Sequence, residues 1–137
     1  MNRGETDLGV LLASMQPELW QETYVFATVA PDAPVPAGAA MSFLEREGKT
    51  LILPEGEARA AGLATAFPCR MITLNIHSSL EAVGFLAVIT ARLAAAGMGV
   101  NPVSAFYHDH LFVPAARAEE AMALLRQLVA EAARAQE

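Results

Sequence analysis

Residues 51–61, LILPEGEARAA, return sixty positions later as residues 111–121, LFVPAARAEEA, and this repeat decides the fold. The two copies place a proline, Pro54 and Pro114, at the same position. Upstream, MSFLEREGKT in the first copy stands where VSAFYHDH stands in the second. Both copies read as strand, polar turn, strand, proline and helix, because proline suits the first turn of a helix. A recurring supersecondary unit predicts two similar units in tandem.

Each unit opens on a strand. YVFATVA at residues 24–30 and RMITLNI at residues 70–76 are both rich in β-branched and aromatic residues. In the second unit a helix is expected over about residues 79–96, with Gly97 as its terminator. The last helix carries an apolar stripe at helical spacing between residues 118 and 132. The second half therefore reads β-α-β-β-α.

The first half is a reduced version of the same unit. PDAPVPAGA follows its first strand and has too many prolines for a helix, so a separate N-terminal helix at about residues 5–15 is expected to cover the sheet there. The predicted fold is α+β, with two ferredoxin-like units whose antiparallel sheets are covered by helices. We divide the chain at residues 1–64 and 65–137. Each half lacks one strand of the βαββαβ unit, and either the other half or a second chain can supply it.

Composition restricts the function. The chain has 137 residues, of which 54% are hydrophobic and 18% charged, with a net charge of −6, so a packed core is expected and binding to nucleic acid is not. The longest apolar run, residues 82–91, is too short for a membrane span, which needs about 20 residues. A single cysteine, Cys69, gives no internal disulfide. We expect a soluble cytoplasmic protein without membrane contact.

Two stretches carry a family resemblance. Residues 84–86, GFL, lie in the first part of the predicted helix, and residues 96–101, AGMGVN, lead from its end into the next strand. This pattern resembles the ACT domain family, small ferredoxin-like modules that bind amino acids and regulate enzymes, and nearly the whole chain is similar to stand-alone tandem ACT proteins of bacteria. The family loop carries an acidic residue and a proline before the glycine. Here Glu81 and Val83 stand near those places, so the proline is absent.

The resemblance implies a ligand site at the start of this helix. A helix N-terminus offers unpaired N–H groups and the positive end of a dipole, which suit the α-carboxylate of an amino acid. Polar groups at the neighbouring strand ends would meet the α-ammonium and line a side-chain pocket. The expected ligand-binding residues are Asn75, His77, Ser78, Ser79, Glu81, Val83, Gly84, Phe85, Asn101 and Ser104. An alternative is that Ser78 and Glu81 form a capping box and leave no room for a ligand.

The sequence HDH at residues 108–110 allows three interpretations. It is the turn of a hairpin, by comparison with EREGK in the first copy. Otherwise His108 and His110 share a strand face and bind a metal with His77, or they contact a ligand or subunit. The turn is the prediction adopted, with no metal and no cofactor. Trp20 is expected to pack against the N-terminal helix, and Cys69 is expected to be structural.

The leading functional prediction is a non-catalytic regulatory protein that binds an amino acid. It is expected to form a homodimer, because exposed sheet edges and apolar faces favour association. Any enzyme that it regulates would be a separate partner. One alternative is a structural or protein-interaction module that kept the fold without a ligand. The other is a small metal-binding protein that uses His77, His108 and His110.

Overall fold

The computed structural model describes residues 7–76 and 82–136. The described strands form one antiparallel sheet of six strands, in the order β2-β3-β1-β4-β6-β5. Their bounds are β1 Pro17–Val29, β2 Met41–Leu44, β3 Lys49–Pro54, β4 Ala66–Leu74, β5 Asn101–Ser104 and β6 Asp109–Pro114. The helices are α1 Leu8–Ser14, α2 Glu55–Ala60, α3 Phe85–Ala95 and α4 Ala118–Ala135, with a 3-10 turn at Ala115–Arg117 before α4. None of the described helices is long and apolar enough to cross a bilayer.

The repeat seen in the sequence is a repeat of structure. Hairpin β2–β3 and hairpin β5–β6 stand sixty residues apart, element for element. Both turns close with the same backbone hydrogen bond, from Glu45 N–H to the Gly48 carbonyl at 2.8 Å and from Ala105 N–H to the His108 carbonyl at 3.0 Å. The α+β class with antiparallel pairing is confirmed. Between β1 and β2 the chain forms no helix, as the prolines predict.

The two halves supply each other's missing strand. The first half contributes β2-β3-β1 and the second contributes β4-β6-β5, so the two half-sheets are arranged as mirror images in strand order. They join where β1 pairs antiparallel with β4. In a complete βαββαβ unit, the unit's own fourth strand pairs beside its first strand. Here each unit lacks that fourth strand, and the opening strand of the other unit takes its place. This answers the question that the sequence left open.

The central pair β1–β4 is irregular. Its register shifts between Leu19 and Thr23 and again between Tyr24 and Phe26. Extra residues of this kind bend a strand and increase its local twist. The sheet therefore bends along the line where the two units meet.

One face of the sheet is covered by helices. In the second half α1, α3 and α4 pack over β4 and β6 around a buried core that includes Leu11, Ile72, Ile89, Leu111 and Leu125. In the first half a smaller cluster, which includes Ala58 of α2, packs on β1 and β3. The expectation that the N-terminal helix covers the first half is wrong. The buried leucines of α1 belong to the core of the second half, because α3 and α4 offer them an apolar groove there.

Polar contacts hold α3 and α4 together. Arg92 of α3 donates two hydrogen bonds to Glu131 of α4, at 3.1 and 2.7 Å. Arg117 donates to the carbonyls of Ala96 and Gly97, at 2.7 and 3.0 Å, and so satisfies oxygen atoms left unpaired where α3 ends. Gly97 has a left-handed φ of 76°, which confirms it as the terminator of α3.

The opposite face has a core of its own. Ile52, Cys69 and Phe112 are buried there, and no described helix contributes to the cluster. Phe112 meets the rings of Tyr24 and Phe26 edge to face, with centroids 5.9 and 6.2 Å apart. Tyr24 and Phe26 belong to the first unit and Phe112 to the second, so this aromatic cluster joins the two units across the sheet.

Candidate functional site

The start of α3 differs from the sequence prediction. The helix begins at Phe85, and Gly84 precedes it with a left-handed φ of 89°. The predicted start near residue 79 is wrong, because a helix cannot run through a residue in that conformation. The Ser78–Glu81 capping box falls on residues outside the described ones. Within residues 82–136, no side chain caps the N-terminus of α3.

The residues around this helix start are placed in different ways. Val83 is 84% exposed, whereas the Phe85 side chain is buried in the helical core, so only the backbone of Phe85 can face a ligand. A Cβ on Gly84 would lie 3.6 Å from Leu8 Cδ2, an ordinary contact. The glycine is therefore required by its backbone angle and not by a close neighbour among the described residues.

The strand ends bring together some of the predicted site residues. Ser104 pairs with Asp109, and Asp109 pairs with Leu74, so Ser104 and Asn75 lie at the same end of the sheet. The Asn75 side chain donates to Glu18 Oε1 at 3.1 Å. Asn101 pairs with Phe112, about 10 Å further along the strands at about 3.3 Å per residue, so the structure separates it from this group. His77, Ser78, Ser79 and Glu81 lie outside the described residues.

The HDH prediction is corrected in register. The turn between β5 and β6 consists of residues 105–108, closed by the bond from Ala105 to His108. Asp109 is buried and His110 is half-buried, and both belong to β6. The turn lies at residues 105–108 because the sixty-residue offset of the repeat aligns it with residues 45–48 of the first copy. His110 therefore pairs with Thr73 of β4 on one side and Val103 of β5 on the other.

Three side chains form a hydrogen-bonded chain on the face without helices. Trp20 Nε1 donates to Thr73 Oγ1 at 2.8 Å, and Thr73 Oγ1 lies 3.0 Å from His110 Nδ1. The Thr73 oxygen accepts the indole proton and makes a second hydrogen bond with His110 Nδ1, whose direction is set by the tautomer of the imidazole ring. The prediction that Trp20 packs against the N-terminal helix is wrong, because the indole lies on the opposite face of the sheet. The sequence alone does not reveal these hydrogen bonds, because the three residues meet only through the pairing of strands that are distant in sequence.

Burial controls the protonation of two groups on this face. It lowers the pKa of His110, the neighbouring His108 lowers it further, and Asp109 opposes them. Burial raises the pKa of the Cys69 thiol to about 12, and the sulfur donates to the Tyr24 carbonyl at 3.4 Å. Cys69 is therefore a structural thiol, as the sequence suggested.

The metal interpretation has no support among the residues that the structure describes. No three histidine, cysteine or acidic side chains converge there. The rings of His108 and His110 are 6.4 Å apart between centroids and nearly perpendicular. Nδ1 of His108 is buried without a hydrogen-bond partner in the described part of the chain. The third expected ligand, His77, lies outside it.

Known proteins share this architecture. Two ACT domain models match the chain, one over residues 3–70 and the other over residues 66–127. A Vibrio cholerae protein of unknown function, described as a possible transport protein, is 37% identical, with 89% of this chain and 95% of that chain covered and a TM-score of 0.79. No curated protein matches.

Two more distant structures share the fold alone. An Agrobacterium tumefaciens protein is 16% identical, with 84% of this chain and 89% of that chain covered and a TM-score of 0.71. The regulatory subunit of aspartate kinase from Thermus thermophilus, in a ligand-free form, is 12% identical, with 85% and 97% covered and a TM-score of 0.64. The matched models, the repeat and the shared fold give one conclusion: the chain belongs to the ACT domain family and carries two ACT units in tandem.

Proposed function

We propose that this chain is a non-catalytic regulatory protein that binds an amino acid at the start of α3. ACT domains are small-ligand regulatory modules, and the two units of this chain support that role. One observation carries the choice of site: α3 begins directly after a left-handed glycine, and no described side chain caps it. Its first N–H groups suit the α-carboxylate of a zwitterion.

The rest of the proposed site comes from the loop and the strand ends. Asn75 and Glu81 would meet the α-ammonium, and His77 and Ser104 would line the side-chain pocket. Val83 and Gly84 form the rim. Ser78, Ser79 and the backbone of Phe85 would supply N–H groups, while Asn101 lies too far along β5 to meet the α-ammonium.

A partner is part of this proposal. The Thermus relative is a regulatory subunit of aspartate kinase, which illustrates this fold acting on an enzyme. We propose that this chain likewise acts on a separate enzyme in the cytoplasm, as a homodimer. The outermost strands β2 and β5 have unpaired backbone edges among the described residues, and such edges favour strand pairing between copies.

Thermal unfolding in the presence of each of the twenty amino acids tests the function. A ligand at 100 times its Kd stabilises the folded state by about 2.7 kcal/mol, which raises Tm by several degrees. Val83→Glu places a carboxylate at the exposed start of α3 and should abolish the shift by repelling the ligand carboxylate. Val35→Glu, at another exposed valine, is the matched control and should keep it.

Two results would count against this function. If none of the twenty amino acids raises Tm, the chain is better explained as a ligand-free interaction module. If an amino acid raises Tm equally in the wild type and in Val83→Glu, the ligand binds elsewhere and the site at α3 is wrong.

A further inference from the structure

A hollow lies on the sheet face opposite the helices. Its volume is about 320 Å³, within the range of small-molecule sites. That space equals about ten water molecules at ~30 Å³ each. Both units line it: the first contributes Trp20, Tyr24, Ala40 and Met41, and the second contributes Met71, Val103, Ala105, His110 and Phe112.

The sheet curves around this hollow. Met41 belongs to β2 and Val103 to β5, the two outermost strands, yet both line the same cavity. In a flat sheet these strands would be about 24 Å apart, at five spacings of ~4.8 Å. A hollow of 320 Å³ would be only about 8.5 Å across as a sphere. The bulged pair β1–β4 provides the bend that brings the edges together.

The chemistry of the lining selects the ligand. Among the described residues that line the hollow, most are apolar or aromatic, and none is a lysine, arginine, aspartate or glutamate. A charged ligand would lose its water there without gaining a counter-charge. The hollow therefore favours an uncharged molecule.

His110 provides the polar contact. In the tautomer in which the Thr73 hydroxyl donates to His110 Nδ1, the proton of the neutral ring is on Nε2. Burial favours the neutral form by lowering the pKa of His110. In that tautomer Nε2–H has no acceptor among the described residues, so it is a donor available to a molecule in the hollow that His110 lines.

We propose that this hollow binds an uncharged, ring-sized apolar molecule whose carbonyl oxygen accepts the hydrogen bond from His110 Nε2. The site lies on the opposite side of the sheet from α3, so it does not depend on the amino-acid site. Because both units line it, the ligand would fix their relative position.

The single tryptophan of the chain reports binding directly. Trp20 lines the hollow, so its indole N–H gives one resolved resonance in an ¹⁵N-labelled sample. Cyclohexanone is the probe, and methylenecyclohexane, which has the same shape without the oxygen, is its control. We expect a saturable shift with cyclohexanone and weaker binding of the control by about tenfold, the value of one buried hydrogen bond.

Variants locate the probe. Val103→Phe fills the hollow from the edge strand β5 and should remove the response. Val10→Phe, on α1 in the helical layer, should leave it unchanged. His110→Phe keeps a ring but lacks the donor, so cyclohexanone should bind about tenfold more weakly while methylenecyclohexane is unaffected.

Three outcomes would overturn the proposal. The first is a response to cyclohexanone that does not saturate or that persists in Val103→Phe. The second is equal binding of cyclohexanone and methylenecyclohexane to the wild type. This comparison uses only the wild-type protein, so it does not depend on whether a variant folds. The third is an indole resonance that changes with protein concentration but not with cyclohexanone, which would show that a second copy covers the hollow.

Discussion

Replacing Thr73 by valine should break the chain of hydrogen bonds between Trp20 and His110 without changing the shape of the side chain. Thr73 is 3% exposed, so water cannot replace its hydroxyl. The indole N–H then loses its acceptor, and His110 Nδ1 loses its hydrogen-bond partner. Each net hydrogen bond contributes about 0.5–1.5 kcal/mol.

The size of the effect follows from exposure. Trp20 is 43% exposed, so its N–H can turn to water and recover part of its loss. His110 is half-buried and recovers less. We therefore expect Thr73→Val to lower the free energy of unfolding by about 1–2 kcal/mol. Thr28→Val, at an exposed position of β1, should change it by less than about 0.5 kcal/mol.

Urea unfolding followed by circular dichroism measures both variants, and the indole N–H resonance of Trp20 should move upfield in Thr73→Val alone. A double-mutant cycle with His110→Phe isolates the pair, with an expected coupling of at least about 0.5 kcal/mol. If Thr73→Val and Thr28→Val lower the free energy of unfolding equally, or if the cycle gives zero coupling, Thr73 does not link Trp20 to His110 as described.

Four further outcomes are expected. Because the folded-state pKa of His110 is lowered, its contribution to stability is complete above about pH 6.5 and is lost as the pH falls through that pKa. The unfolding free energy of His110→Phe should therefore depend less on pH in the acid range. Phe112→Ala should lower the unfolding free energy by about 3–5 kcal/mol, whereas Phe43→Ala, on the exposed edge, should change it by less than about 0.5 kcal/mol in urea titrations. Arg117→Ala should lower the unfolding free energy in the same titrations, since the carbonyls that end α3 lose their donor. Cys69, whose pKa burial raises to about 12, should resist a thiol-disulfide reagent at pH 8 until urea unfolds the chain.

The sequence predicted what depends on local pattern. The sixty-residue repeat, the prolines after the first strand and the glycine at 97 are all read within a few residues, and each has the predicted structural effect. Where the prediction failed, two local patterns competed. HDH resembled a turn through its aspartate, but the repeat offset placed the turn at 105–108. The capping-box spacing resembled a helix start, but the backbone of Gly84 moved that start to Phe85.

Other features depend on which elements meet in space. The helix at the N-terminus was expected on the wrong unit because its apolar leucines fit either half equally well in sequence. The pairing of β1 with β4 brings Trp20 to Thr73, 53 residues away, and no periodicity signals that distance. The curvature that encloses the hollow comes from the same bulged pair. The sheet face opposite the helices, which carries the Trp20–Thr73–His110 hydrogen bonds and the hollow, was therefore the part of the structure that the sequence predicted least.

Strand β4 connects the two proposed sites. Its side chains alternate, so that Ile72 and Leu74 are buried under the helices while Met71 and Thr73 lie on the side of the hollow. The strand then continues through Asn75 towards the loop before α3. A molecule in the hollow and an amino acid at α3 would therefore act on opposite faces of one strand. Coupling between two such sites is reciprocal, so any factor by which the hollow changes the affinity for the amino acid must equal the factor by which the amino acid changes the affinity of the hollow. A rigid β4 would make that factor one, and the two sites would then bind independently.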